Sequence, residues 1–270
     1  MRLHVGCAQW THKAWPWDRL QTYATWCNAV EGNTTFYATP KRETVANWAA
    51  QTGDDFRFVL KLPRTITHEH RLRDTAVALR EFLRAVEPLG ARTETLWIQL
   101  PGSFGPADLP VLARFLHGLP TDFRYAVEVR DAAFFTAPRE LSAVLESAGA
   151  EWIPFDTTEF FASPPTSAAE RDAWTKKPRM PLRMTALTDH PIVRYLGRDD
   201  DSRTVAGWQR WVTQVAEWLR EGRSPTVFIH TPDNVAAPEL ARRFHAAVRA
   251  LVPSLPALGE PEQSGPATLF

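Results

Sequence analysis

The sequence predicts an α/β fold: a single (β/α)8 barrel of the TIM type, with eight parallel strands and outer helices. Three observations predict it. Short apolar runs alternate with amphipathic segments of helical spacing along nearly the whole chain. The runs number eight, the count at which such units close into a barrel more readily than they lie open. Polar or charged residues recur at the C-terminal ends of the runs, where barrels of this kind carry their chemistry. A doubly wound open sheet is the alternative, but no G-x-G-x-x-G follows the first run.

Taken in order, the first strand is Leu3–Cys7 and the second Ala29–Asn33. Pro40–Gln51 is helical, with Thr39 as N-cap and Pro40 at the first helical position. The third strand, Phe58–Leu62, precedes a helix over Asp74–Val86, where Val77, Leu79, Phe82, Leu83 and Val86 share a face. Strand Leu96–Leu100 precedes helix Leu109–Leu119, and strand Tyr125–Val129 precedes helix Glu140–Ala148. The sixth strand is Trp152–Phe155. The segment Thr157–Pro191 is irregular, with a short helical pattern at Ser167–Lys176. It is either a modified crossover or a long loop over the barrel mouth. Strand Ile192–Leu196 leads to the clearest helix, Thr204–Arg220, whose Trp208, Trp211, Val212, Val215, Trp218 and Leu219 form one stripe. Strand Val227–His230 and helix Glu239–Leu251 complete the pattern. Residues 1–252 therefore form the barrel domain, and residues 253–270 a flexible Pro/Gly-rich tail with little packing of its own.

At 270 residues the chain has the length of one such barrel, about 250 residues. Hydrophobic content of 44% and charged content of 23% are ordinary for a soluble protein with a sizeable core. The formal net charge is zero, which argues against broad, charge-driven binding to nucleic acid or membrane. No apolar run reaches the roughly 18 residues of a spanning helix, and no signal-peptide pattern opens the chain. Two cysteines, Cys7 and Cys27, without C-x-x-C spacing fit a reduced, cytoplasmic protein.

The strand ends supply the candidate site. Gln9 and Trp10 follow the first strand; Glu31 and Asn33 share a phase at the second, with Tyr37 just beyond. Lys61 ends the third, followed by Arg64 and His68. Gln99 ends the fourth. Glu128 and Arg130 leave the fifth on one face, since alternate strand residues point the same way. Asp156 ends the sixth, Arg194 and then Arg198 the seventh, and His230 the eighth. Glu31, Glu128 and Asp156 are the candidate acid/base groups. Lys61, Arg64, Gln99, Arg130, Arg194, Arg198 and His230, with Gln9, Trp10, Asn33 and Tyr37, are the candidate substrate contacts. Each buried pair read alone has a plainer meaning, because buried charges are normally paired whether or not they react. Glu128, Asp156 and His230 are of the right types for a divalent metal. A metal is not the favoured reading, because Lys61, Arg130 and Arg194 at the same mouth would repel a cation, and the metal question stays open. The cations suit a small anionic ligand held by arginine forks.

The chain carries Gly6-Cys-Ala-Gln-Trp10, Val30-Glu-Gly-Asn-Thr-Thr-Phe-Tyr37, Phe58-Val-Leu-Lys-Leu-Pro-Arg64 with Thr67-His68, Gln99-Leu-Pro101, Tyr125-Ala-Val-Glu-Val-Arg130, Phe155-Asp-Thr157, Val193-Arg-Tyr-Leu-Gly-Arg198 and His230-Thr-Pro-Asp-Asn234. With these segments it resembles the YecE-like family, domain of unknown function 72. The resemblance spans residues 1–250 and implies the barrel fold, but supplies no reaction. Much of the family has His where Leu196 stands, and two Asn where His230 and Thr231 stand. Those departures resemble a subgroup that also carries the Lys176-Lys-Pro-Arg179 segment. The family is distantly similar to metal-dependent sugar isomerase and apurinic endonuclease barrels, an analogy of fold rather than of site.

Two functions are carried forward. One is an enzyme of hydrolase or isomerase class acting on a phosphate-bearing or sugar-like compound. The other is a non-catalytic protein that binds an anionic metabolite or nucleic acid. A nucleic-acid ligand has weak support: Lys176, Lys177, Arg179 and Arg183 would form one wall of a basic groove, and a solvated linker is the plainer reading. The ending Ala267-Thr-Leu-Phe270 faintly resembles peptides that dock into sliding clamps. A tail that packs back or does nothing is the preferred reading there.

Overall fold

The structure is a computed structural model that describes residues 2–16 and 19–261. Its strands are β1 (His4–Cys7), β2 (Ala29–Gly32), β3 (Arg57–Lys61), β4 (Thr93–Gln99), β5 (Tyr125–Glu128), β6 (Glu151–Trp152), β7 (Phe155–Asp156), β8 (Ile192–Leu196) and β9 (Thr226–His230). All the pairings are parallel, in the order β6-β5-β4-β3-β2-β1-β9-β8-β7. The helices are α1 (Leu20–Trp26), α2 (Thr34–Tyr37), α3 (Arg42–Ala50), α4 (Ala76–Val86), α5 (Leu109–His117), α6 (Pro138–Ser147), α7 (Ala168–Lys176), α8 (Asp201–Gly207), α9 (Gln209–Arg220) and α10 (Ala237–Leu251).

The expected closed barrel of eight strands needs correction. The sheet has nine strands because the sixth expected strand is split. Ile153 and Pro154 separate β6, which pairs with β5, from β7, which pairs with β8. Pro154 has no N–H to donate to a ladder. The sheet curls until its two ends lie two residues apart in the chain, and the seam there is covalent, not a hydrogen-bonded ladder. The result is a curled parallel sheet close to a TIM-type barrel.

Two helices went unread in the sequence. One is α1, which sends the Tyr23 hydroxyl between the first two strands. That hydroxyl accepts from Cys7 N at 2.9 Å and donates to Ala29 O at 2.8 Å. Gly6 makes the approach possible: a Cβ there would stand 2.0 Å from Ala29 O. The other is α2, one turn beyond β2. Helix α3 starts after Lys41, not Thr39, so Pro40 lies outside it. The long stripe Thr204–Arg220 is two helices that break at Trp208.

Inside the curl, Ala29, Val59, Trp97, Ala126, Ile153, Ile192 and Phe228 form an apolar plug. Below it, at the N-terminal ends of the strands, Glu94 meets Arg57 at 3.3 Å, Arg124 at 3.3 Å and His190 at 2.9 Å. Above it lie the polar ends considered next. Outside, the helices bury a larger apolar shell against the strands.

The irregular segment is a crossover whose first half lies over the mouth. Thr157 Oγ1 donates to Pro178 O at 3.2 Å. The chain then returns to the opposite end, where Leu187 N and Thr188 N donate to Glu151. The anchored beginning of the expected tail is a finding too. Leu255 is buried, and Gly259 O accepts from Arg242. Leu269 and Phe270 lie outside the described residues.

Candidate functional site

Register decides which strand-end residues meet. Neighbours in a parallel ladder point to the same side, and Gln99 pairs with Glu128 and Leu196 with His230. Glu31 Oε1 lies 2.7 Å from Lys61 Nζ and 3.3 Å from Arg194 Nη2. Its Oε2 lies 2.8 Å from His230 Nε2. Glu128 bonds Arg130 Nε and lies 3.5 Å from Arg194 Nη1. Arg194 therefore links the two carboxylates. Its guanidinium stands 4.3 Å from the Phe155 ring centre, and Lys61 Nζ 4.5 Å from that of Trp97. The aromatic faces at the top of the plug thus carry the cations.

Burial alone would push the Glu31 carboxyl up, but Arg194, Lys61 and His230 outweigh it and hold it well below the usual carboxylate range. Glu128 is likewise lowered against burial, by Arg130, Arg194 and Lys61. Burial lowers Lys61 to about 8 even though Glu31 opposes the shift. Burial also lowers His230 to about 4, so at neutral pH its ring is uncharged. An ionised Glu31 can only accept, so the proton of that pair sits on His230 Nε2.

Over this network lies a cavity of about 650 Å³. Gln9, Trp10, Asn33 and Tyr37 border one side, and Lys61, Gln99, Arg130 and Arg194 form the base. Asn33 is also tied down, its Nδ2 donating to Ala8 O at 2.8 Å. Gln99 is buried, and its Oε1 has no protein partner among the described residues.

Six expected residues are placed otherwise. Glu31 and Glu128 are 0% exposed and lie under the cations, not on the cavity wall. His230 lies beside them. Arg64 pairs with Glu69 at an exposed position. Arg198 is fully buried against the crossover: it grips Glu170 with Nε at 3.0 Å and Nη2 at 2.5 Å, and donates to Phe160 O, Ser163 O and Pro164 O.

Asp156 is the sixth, and it faces outward. Its register partner is Tyr195, while the inward Phe155 pairs with Arg194. It accepts from Trp211 Nε1 of α9 at 2.8 Å, and from Thr158 N and Oγ1 at 2.8 and 2.6 Å. The expected trio Glu128, Asp156 and His230 therefore does not gather. Among the described residues no group of three His, Cys, Asp or Glu side chains can hold a metal ion. Asp156→Asn should cost about 1–2 kcal/mol through weakened hydrogen bonds. It should leave ligand binding at the mouth unchanged, as titration of the variant would check.

Lys177, read in the sequence only as part of one wall of a basic groove, is brought to the mouth cavity by the fold. It follows α7 and borders the cavity beside Arg194. Burial and Arg194 lower it to about 8. The four basic residues of its segment do not share a wall. Lys176 pairs with Asp172 at 2.6 Å, Arg179 stacks on Phe161 and Trp174, and Arg183 stacks on Trp152. Trp174 is the one aromatic residue in 174–183, so no local pattern in the sequence signals these stacks.

Fold and mouth define a class: a parallel α/β protein of barrel type with a charged, aromatic-rimmed cavity at the C-terminal strand ends. The model of the family described as "Protein of unknown function DUF72" matches residues 4–264, and the chain belongs to that family. It is 39% identical over 269 residues to the UPF0759 protein YecE of Escherichia coli strain K12, across 97% of this chain and 98% of that protein. The fold is shared with a DUF72 family protein from Thermotoga maritima MSB8, at a TM-score of 0.69 and 19% identity, covering 94% of this chain and 100% of that one. A DUF72 family protein from Enterococcus faecalis V583 has a TM-score of 0.68 and 17% identity, covering 97% of this chain and 100% of that one. Among the described residues no helix is long and apolar enough to cross a membrane.

Proposed function

We propose that the mouth binds a small anionic compound, phosphate-bearing or sugar-like, and moves protons on it in the manner of an isomerase or hydrolase. One observation carries this reading. Lys61, Arg130, Lys177 and Arg194 border the cavity, while the two carboxylates that balance them, Glu31 and Glu128, lie sealed beneath. Four cations over two anions leave an excess of positive charge facing the ligand. Arginine forks and the unpartnered Gln99 Oε1 supply directed hydrogen bonds. The rim of Trp10 and Tyr37 suits the face of a sugar.

Proton transfer falls to the lysines rather than to the carboxylates. A general acid or base works best with a pKa near the working pH. Lys61 and Lys177 stand at about 8, whereas Glu31 and Glu128 are held ionised. Two free, buried thiols, Cys7 and Cys27, support a reduced, cytoplasmic setting. The sealed carboxylates also suit a second reading, a binding protein that performs no chemistry. Turnover of a panel of phosphorylated sugars separates the two.

Binding itself is tested by thermal melting in phosphate or sulfate against chloride at matched ionic strength. Near saturation, at about 100 times Kd, one site adds about 2.7 kcal/mol. That is a rise of roughly 5–10 °C for a chain of this size. Arg194→Ala, compared with its own melting point in chloride, should lose the rise. A wild-type protein that melts at the same temperature in all three salts would overturn the reading.

A further inference from the structure

This chain uses lysine sparingly. Of its 31 basic residues only Lys13, Lys41, Lys61, Lys176 and Lys177 are lysines. Two of these five, Lys61 and Lys177, border the mouth. Arginine would serve as well or better for holding an anion, because its fork matches phosphate and carboxylate. What lysine offers and arginine does not is an amine that can lose its proton and attack carbon.

The two lysines are held differently. Lys61 is almost fully buried, and its Nζ is engaged by Glu31 at 2.7 Å and lies over the Trp97 ring. Lys177 is half-buried, and its Nζ has no hydrogen bond or carboxylate partner among the described residues. Its backbone is fixed at both ends: Lys177 N donates to Ala173 O at 2.9 Å, and Pro178 O accepts from Thr157 Oγ1 at 3.2 Å. The titratable and charged groups around it are Arg194 and Arg130, which repel a proton on its amine, and Glu31 and Glu128, which attract one. An unpartnered amine on an anchored turn, beside two arginines, is the arrangement of a nucleophile next to an anion site.

We infer that Lys177 forms an imine with an aldehyde or ketone whose anionic group is held by Arg130 and Arg194. The inference rests on the anion-binding reading of the mouth and names the substrate class, a small carbonyl compound bearing phosphate or carboxylate. In the step, the uncharged amine nitrogen bonds to the carbonyl carbon. One amine proton passes to the carbonyl oxygen and gives the carbinolamine. The C–O bond then breaks, and the oxygen leaves as water with the second amine proton. No oxidant or reductant is consumed. Burial and its arginine neighbours hold Lys177 at about 8, so its uncharged form is present near neutral pH.

The test uses the full chain with glycolaldehyde phosphate as probe, glycolaldehyde as control, and borohydride to reduce any imine to a stable amine. Peptide mass mapping reads the site. Lys177 should be labelled at least about ten-fold faster than Lys13, Lys41 or Lys176, because its amine is the one unpaired amine that borders the anion site among the described residues. It should also prefer the phosphorylated probe, and inorganic phosphate should compete. Lys177→Arg, which keeps the positive charge but cannot form an imine, should lose this label. Labelling spread evenly over the lysines, or centred on Lys61, would overturn the assignment. Equal labelling of Lys177 by both aldehydes would overturn the anionic class of the substrate. A wild-type protein that shows the phosphate rise but no selective label fails this inference alone. Absence of the rise fails the underlying reading instead.

Discussion

Arg198→Ala should cost about 3–5 kcal/mol, the loss expected when one partner of a buried ion pair is removed. Arg198 is fully buried, and Glu170 across from it is equally so. Burial alone would raise Glu170, yet Arg198, Thr166 and Asp199 bring it down to about 2. The truncation therefore leaves an ionised carboxylate in the core with only the Thr166 hydroxyl and the backbone N–H groups of Thr166 and Asp199 as donors. It also releases the carbonyls of Phe160, Ser163 and Pro164. Arg198→Lys should recover little, because an ammonium cannot reproduce the two-pronged grip on Glu170. Urea midpoints check this, and a loss below about 1 kcal/mol, the range of an exposed pair, would sink it. A consequence reaches the mouth. Arg198 anchors the start of the crossover that carries α7 and Lys177, so the variant should lose affinity for phosphate without losing any group that touches the cavity.

That prediction depends on a residue that strand-end position alone assigns to the ligand. The sequence makes the inward phase of Glu31, Lys61, Gln99, Glu128, Arg130 and Arg194 legible, because each extends a run with unbroken alternation. Asp156 fails for a local reason: its strand is broken at Pro154 and too short to show a phase of its own. The proline inside Trp152–Phe155 was itself a signal against a continuous strand. Arg198 lies two residues beyond β8, where the backbone has left the ladder and alternation no longer predicts direction. Lys177 lies on a crossover with no period at all, so only the folded chain brings it to the mouth. Helix α1, with two buried residues in seven, is too short to show a helical stripe. The strands were readable because parallel strands buried on both sides make dense apolar runs.

Stability should fall steeply as pH drops from 6.5 towards 4. His4, His230 and His245 are each lowered by burial from 6.5 to about 4. Between those values the unfolded chain binds protons that the folded chain refuses, so stability rises with pH and is lost on acidification. Below 4.5 the carboxylates add to the loss. Glu31 and Glu128 are lowered by the mouth cations and Glu170 by Arg198, and each contributes stability that disappears as pH falls through its folded value. Glu151 and Asp199, raised by burial, act in the opposite sense. They are two groups against the six just named, to which His68 and Glu94, also lowered, add in the same sense, and Glu151 is held by three donors of residues 187 and 188, Leu187 N, Thr188 N and Thr188 Oγ1. The balance is a loss on the order of several kcal/mol, comparable with the whole stability of a typical domain. Urea midpoints at pH 7, 5.5 and 4.5 would measure it. His230→Asn removes one of the three histidines lowered to about 4 and should flatten the slope between pH 6.5 and 4.5. It should also free Glu31 Oε2 of its neutral donor while leaving Lys61 and Arg194 in place. A midpoint that holds steady from pH 7 to 4.5 would mean that the buried histidines gain their protons without cost, and that the mouth is far wetter than its geometry implies.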